Sequence, residues 1–471
     1  MLFNTPEYFL FLGVVLLIYY STTPRVQNYM LLAASYLFYS FWDWRYLSLI
    51  LLSTIVDFSV AQAIGHTSQP GRRKLWLGLS LSVNLGILGF FKYCNFFIHN
   101  AAAALTWLGF DPHLPVLNIL LPVGISFYTF QTMSYTIEVY RGKMEPARNL
   151  ADFALYICYF PQLVAGPIER PQNLLPALQN KRTVNGEQFI SGCLLILIGL
   201  FRKIVIADGL SAQIDPIFAS PALFSSPELF MGVFLFALQI YCDFAGYSDI
   251  ARGSSRLLGI ELMENFNQPY FAANVSEFWQ RWHISLSSWL RDYVYIPLGG
   301  NRHGAFNTYR NLLLTMLLGG LWHGAAWTFV AWGALHGLYL IGIRLMGHIW
   351  PFQQQAADGQ FSGQRLLGMA ITFPLIMLTW VFFRAPGLSA SIEFIRHAAE
   401  LRQMEMWATV WPAMLAPLLL VLLIDIPQFW GRSHTVLLQW PRPLRDAVVA
   451  LLLFVILLGV GTRAPFIYFQ F

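Results

Sequence analysis

The chain has 471 residues, of which 56% are hydrophobic and only 11% charged, with a net charge of +5 and a mean hydropathy of +0.53. A water-soluble domain carries about 25% charged residues, so the composition excludes a soluble globular protein and leaves an all-α, polytopic membrane protein. The small basic excess is spread over short loops, which suits anionic lipid rather than nucleic acid, and no phosphate-binding glycine loop is present.

The N-terminal MLFNTPEYFLFLGVVLLIYY lacks the basic start and small-residue cleavage site of a signal peptide and reads as a retained first span. Apolar segments follow near 29–42, 45–64, 75–98, 119–139, 151–165, 189–206, 229–250, 308–322, 325–347, 366–384, 408–428 and 446–464. A crossing takes about 20 apolar residues, so the pattern predicts about 11 to 13 spans, with the shorter runs tilted, re-entrant or buried in protein. Arg72, Arg73 and Lys74, and then Arg141, Lys143 and Arg148, fall in two loops, while 99–118 holds no Lys or Arg. The positive-inside rule places the first two loops in the cytoplasm, 99–118 outside, and the N-terminus outside. Cys94, Cys158, Cys193 and Cys242 form no CxxC pair and read as small hydrophobes, with neither a disulfide framework nor a metal site. No internal repeat is evident, and the polar stretch 348–365 is a linker too short to be a domain, so 1–471 reads as one membrane domain.

Residues 265–311 break the span-and-loop pattern, being aromatic and charged together. Asn274 followed by Glu277 predicts a capping box opening a helix over 275–292, with Trp279, His283, Leu286 and Leu290 on one face. Pro297 and Gly299–Gly300 then end regular structure, which predicts an amphipathic or re-entrant helix and a loop dipping into the protein. Arg291–Asp292 reads as a charge pair and Arg281 as a headgroup or phosphate contact. Asp243 and Asp249, carboxylates within an apolar span, need partners, of which Arg252 and Arg256 are near in sequence; a structural ion-pair network is expected.

The stretch 317–337, LLGGLWHGAAWTFVAWGALHG, carries two histidines and no charged residue. Polar groups at membrane depth face a protein interior or a cavity. His323 lies between Gly319–Gly320 and Gly324, which remove side-chain bulk and would let a substrate approach. A neutral imidazole there suits a general base for a hydroxyl; a buried histidine bonded to a carbonyl fits the same spacing. His336 is 13 residues on and points to the opposite side of a continuous helix, so the two form no dyad unless the helix breaks, and a structural role is expected for His336. His283, beside Trp279, Trp282 and Trp289, also fits an interfacial aromatic belt.

FWQRWHISLSSWLRDYVYIPLGGNR (278–302) followed by 317–337 resembles the membrane-bound O-acyltransferase family, and is most similar to its branch that O-acetylates bacterial exopolysaccharides such as alginate. MLFNTPEYFLFL, LPVGISFYTFQTMSYTIEVYRG (121–142), FPQLVAGPIERPQNLLP (160–176) and the terminal PFIYFQF extend the likeness over essentially the whole chain.

The resemblance implies a ring of helices around a funnel. It implies that His323, in a Trp-His-Gly context, is the catalytic histidine and that His283, in Trp-His-x-Ser-Leu-Ser, is a second functional one. Trp322, Gly320, Gly324, Trp282 and Arg291 are the expected substrate-contacting residues. It further implies an acetyl donor, acetyl-CoA, on the cytoplasmic side of a bacterial inner membrane, no bound cofactor, lipid around the spans, and extracytoplasmic polysaccharide O-acetylation proteins as partners. The competing readings are D-alanyl transfer toward teichoic acids and, in a different class, a transporter or channel, which would show repeat symmetry.

Overall fold

A computed structural model describes residues 1–471 except 113, 118, 165, 348–359, 460–465 and 468–471. Most of the expected linker 348–365 and of the terminal PFIYFQF thus lies outside the described residues. Among the described residues the secondary structure is helical, with no strand. Among these residues seven stretches are long and apolar enough to cross a membrane: Val26–His66, Pro70–Trp107, Gly186–Ala219, Ser226–Leu257, Trp327–Met346, Gly363–Arg384 and Met404–Gly431. They are fewer than the 11 to 13 spans expected because Val26–His66 fuses two of the apolar runs and others, such as Pro6–Tyr20, form shorter helices. Val26–His66 spans 41 residues, roughly 60 Å if straight, or twice a bilayer core of about 30 Å; a 3-10 turn at Trp44–Tyr46 interrupts it.

The backbone divides into two units, residues 1–192 with 254–263 and residues 193–253 with 264–471. In the first, the apolar runs at 119–139 and 151–165 become the helices Ile125–Tyr140 and Leu150–Cys158, 16 and 9 residues long. These are too short to cross lipid and are almost wholly enclosed by protein. The expected outside loop at 99–118 is helical as far as Trp107. Asp57, fully buried, accepts from Ser80 Oγ at Oδ1 and from Asn84 Nδ2 at both carboxylate oxygens, so it is met by neutral donors.

In the second unit the 32-residue helix Ser226–Leu257 is the most enclosed of the apolar stretches. It carries Asp243 and Asp249, whose main partners are Lys203 (2.7 Å) and Arg202 (2.6 Å). Arg202 also reaches Asp425 at 2.7 Å, Asp425 accepts from Tyr241 Oη, and Lys203 reaches Asp208 at 2.7 Å. Arg252 stands 3.6 Å from Asp249 as expected, whereas Arg256 pairs with Glu261. The ion-pair network anticipated from sequence is therefore present but built on Arg202 and Lys203. An adjacent Arg-Lys inside the apolar run 189–206 was the signal that could have found them.

Residues 265–290 are folded into protein rather than laid on a surface: Phe278, Trp279, Arg281, Trp282, His283, Leu286, Trp289 and Leu290 are all buried. Arg291 to Arg310 are instead mostly exposed or half-buried, so the loop after Pro297 does not dip into the protein as expected. The expected helix 275–292 is instead two seven-residue helices, Val275–Arg281 and Ile284–Leu290, with a π-helical turn at Arg291–Tyr295. The break comes at Trp282–His283, where His283 takes the left-handed φ of 42°. Asn274 Oδ1 does cap Glu277 N–H, but the Glu277 carboxylate accepts from Ala273 N–H, one residue before the expected partner. Its remaining capacity holds two guanidiniums, Arg281 (2.8 Å) and Arg365 (2.7 Å). Arg281 is thus a buried structural ion-pair member and not a headgroup contact.

Candidate functional site

Three local events build the site. Gly304–His323 ends at the candidate histidine, the chain turns over Gly324–Ala326, and Trp327–Met346 returns as the second arm of a hairpin. The continuous helix assumed for the separation of His323 and His336 is therefore absent. The arms approach backbone to backbone: a Cβ on Gly320 would overlap the Phe329 carbonyl and crowd Gly333, and a Cβ on Gly324 would overlap the Phe329 ring. The space that these glycines leave in the Cβ direction is taken by Phe329, which packs the two arms together.

The hairpin brings His323 and the left-handed turn at His283 together. Their ring centroids are 6.4 Å apart at 64°, with His283 fully buried and His323 5% exposed. Left-handed backbone at a non-glycine residue costs about 1–3 kcal/mol and persists where surroundings over-determine it. Trp322 lies against both imidazoles, 5.6 Å from His283 and 5.0 Å from His323. Phe244 meets His283 edge-on at 4.7 Å, and Trp332 (5.0 Å) and Phe383 (5.2 Å) close the far side of His323. Neither Trp332 nor Phe383 is distinguishable in sequence from other aromatics of apolar spans.

His336 packs against Trp332, ring centroids 4.6 Å apart, and its Nδ1 accepts from Trp279 Nε1 at 3.3 Å. Among the described residues its buried Nε2 has no hydrogen-bond partner. Trp282 stands one layer behind the histidines, stacked on Phe278 at 5.4 Å and against Trp380 at 5.0 Å. Arg291 lies apart from the histidines. It is exposed, paired with Asp292 at 2.8 Å, and borders a cavity of about 510 Å³ that Trp279, Leu290, Thr315 and Met316 also line.

The arrangement suits proton handling in a dry compartment. Aromatic walls exclude water, which strengthens every polar interaction made inside. Residues 36–383 match the membrane-bound O-acyltransferase family. A probable alginate O-acetylase of Pseudomonas putida is 37% identical over 98% of this chain and 98% of its own length. One from Azotobacter vinelandii is 44% identical over 81% of this chain and 74% of its own. A peptidoglycan O-acetyltransferase of Helicobacter pylori is 37% identical over 84% and 79%. Helices built for lipid, a buried histidine pair and a family match across most of the length agree, and the chain belongs to the membrane-bound O-acyltransferase family, as a multi-pass membrane acyltransferase.

Proposed function

We propose that this protein moves an acetyl group from a cytoplasmic donor, acetyl-CoA, across a bacterial inner membrane for O-acetylation of an exopolysaccharide of the alginate kind. The observation that carries the reading is the apposition of His283 and His323 at 6.4 Å inside an aromatic shell. The names of the relatives, acetylases of alginate and peptidoglycan, support acetate and a polymer. His323 takes the proton of the attacking hydroxyl as that oxygen bonds to the thioester carbonyl carbon. The carbon–sulfur bond breaks, and the proton passes to the departing thiolate. His283 orients the acceptor or stabilises the charge on the carbonyl oxygen. Trp322 walls both imidazoles, and Arg291, on the cavity beside Trp279, attracts an anionic donor. The loop charges support an extracytoplasmic N-terminus. Extracytoplasmic O-acetylation proteins then complete delivery to the polymer.

The test is the acyl group released by mild base from cell-surface polymer in strains carrying wild-type protein or His323→Ala. The expected result is acetate from the wild type and almost none from His323→Ala at equal protein abundance. Released D-alanine would assign the chain to teichoic-acid chemistry, and undiminished acetate from His323→Ala would leave a transporter or a structural subunit.

A further inference from the structure

His283 occupies the position that caps the helix Ile284–Leu290, yet its side chain makes no capping bond. The first N–H groups of any helix lack partners within it, and Ser, Thr, Asp or Asn at the cap ordinarily supplies one. Here both come from Asn265, which lies 18 residues upstream in sequence and is 1% exposed. Its main-chain carbonyl accepts from Ile284 N–H at 2.9 Å and its side-chain Oδ1 accepts from Ser285 N–H at 3.3 Å. Its Nδ2 donates to Ser248 Oγ at 3.3 Å, tying the pair to the helix Ser226–Leu257. On the other side of the break, Asn267 N–H donates to the Arg281 carbonyl at 2.9 Å and Arg281 Nη1 donates back to the Asn267 carbonyl at 3.1 Å. Both flanks of the Trp282–His283 turn are therefore stitched to the same short run of chain, 265–267.

We propose that Asn265 is a positioning residue for acyl transfer: it caps the Ile284–Leu290 helix from outside, holds His283 in its left-handed conformation, and so keeps the imidazole beside His323. The inference rests on the role assigned to His283 above. Without the Asn265 side chain, Ser285 N–H loses its acceptor and the run 265–267 loses its tie to Ser248, so His283 relaxes toward ordinary backbone and its ring leaves the 6.4 Å apposition. Ser248 acts through Asn265 and matters less, because its removal leaves the bonds to Ile284 and Ser285 in place.

The experiment uses membrane vesicles carrying the complete system, supplied with radiolabelled acetyl-CoA, and reads the maximal rate of polymer acetylation, the half-saturating donor concentration and the melting temperature. Asn265→Ala is expected to lower the maximal rate by about tenfold or more, since small displacements of a working group are costly, with half-saturation within about twofold. Ser248→Ala is expected to lower the rate by about threefold, as the loss of one supporting hydrogen bond would, with the protein fully folded. In a His283→Asn background, which tolerates left-handed backbone but lacks the imidazole, Asn265→Ala should subtract little further. A wild-type maximal rate in folded Asn265→Ala, or a loss confined to half-saturation, overturns the proposal. Should Asn265→Ala fail to accumulate, a folded Ser248→Ala with wild-type rate overturns it. A wild-type rate in His283→Asn would instead overturn the role of His283 itself.

Discussion

Two buried polar clusters in the same unit solve the cost of polar groups at membrane depth in opposite ways. Around Arg202, cations are matched by carboxylates: Asp249 and Asp425 lie within 2.7 Å of the guanidinium, and Lys203 holds Asp208 and Asp243. Around His323, the walls are rings: Trp322, Trp332, Phe383 and a second imidazole. A charge-matched cluster is fixed, because each member is the counter-ion of another and moving one strands the rest. A ring-walled histidine can exchange a proton without leaving a full countercharge behind it. The contrast teaches that burial alone does not mark chemistry; the nature of the neighbours does.

The largest effect that would sharpen the contrast is on the histidine side. His323→Ala should cost about 10²–10⁴-fold in acetylation, the usual worth of a general base, with the melting temperature kept; a destabilised but active variant would reverse the assignment. Next, Arg202→Ala strands Asp249 and Asp425 and should cost about 3–5 kcal/mol, read as lost accumulation in membranes with the specific rate of the surviving protein unchanged. A stable, abundant and inactive Arg202→Ala would break the comparison by making the network part of the chemistry. Gly320→Ala should cost about 1–3 kcal/mol by overpacking against Phe329, measured by thermal unfolding in detergent. The smallest effect is expected at Arg291, whose partner Asp292 is its own neighbour on an exposed turn. Arg291→Ala should leave unfolding unchanged and raise half-saturation for the donor with the maximal rate kept; no shift would remove Arg291 from the site.

What sequence made legible follows from the range of the forces involved. Helical class and membrane residence depend on composition, and both were plain. The Asn274 cap is local and was correctly anticipated, with only its carboxylate partner displaced to Ala273. The break at Trp282–His283 was not legible, because helical spacing continues through it and the turn is held by Asn265, 18 residues upstream, a pairing only the fold makes. What fills the room beside the glycines flanking His323 is not readable locally, because it is Phe329, which only the hairpin brings there. Arg202 and Lys203 were within reach, since an apolar run that contains a charged pair demands carboxylates elsewhere. Trp332 and Phe383 carry no local signal at all.

The hairpin of Gly304–His323 and Trp327–Met346 has a mechanical consequence. Arms in contact through Gly320, Gly333 and the Phe329 main chain have no side-chain layer between them to shear. They move as one stiff lever, and His323, Trp332 and His336 travel with it as a fixed constellation. Of the rings that wall His323, Phe383 is borne on a different element, Gly363–Arg384, so its position relative to the imidazole is not fixed by the hairpin.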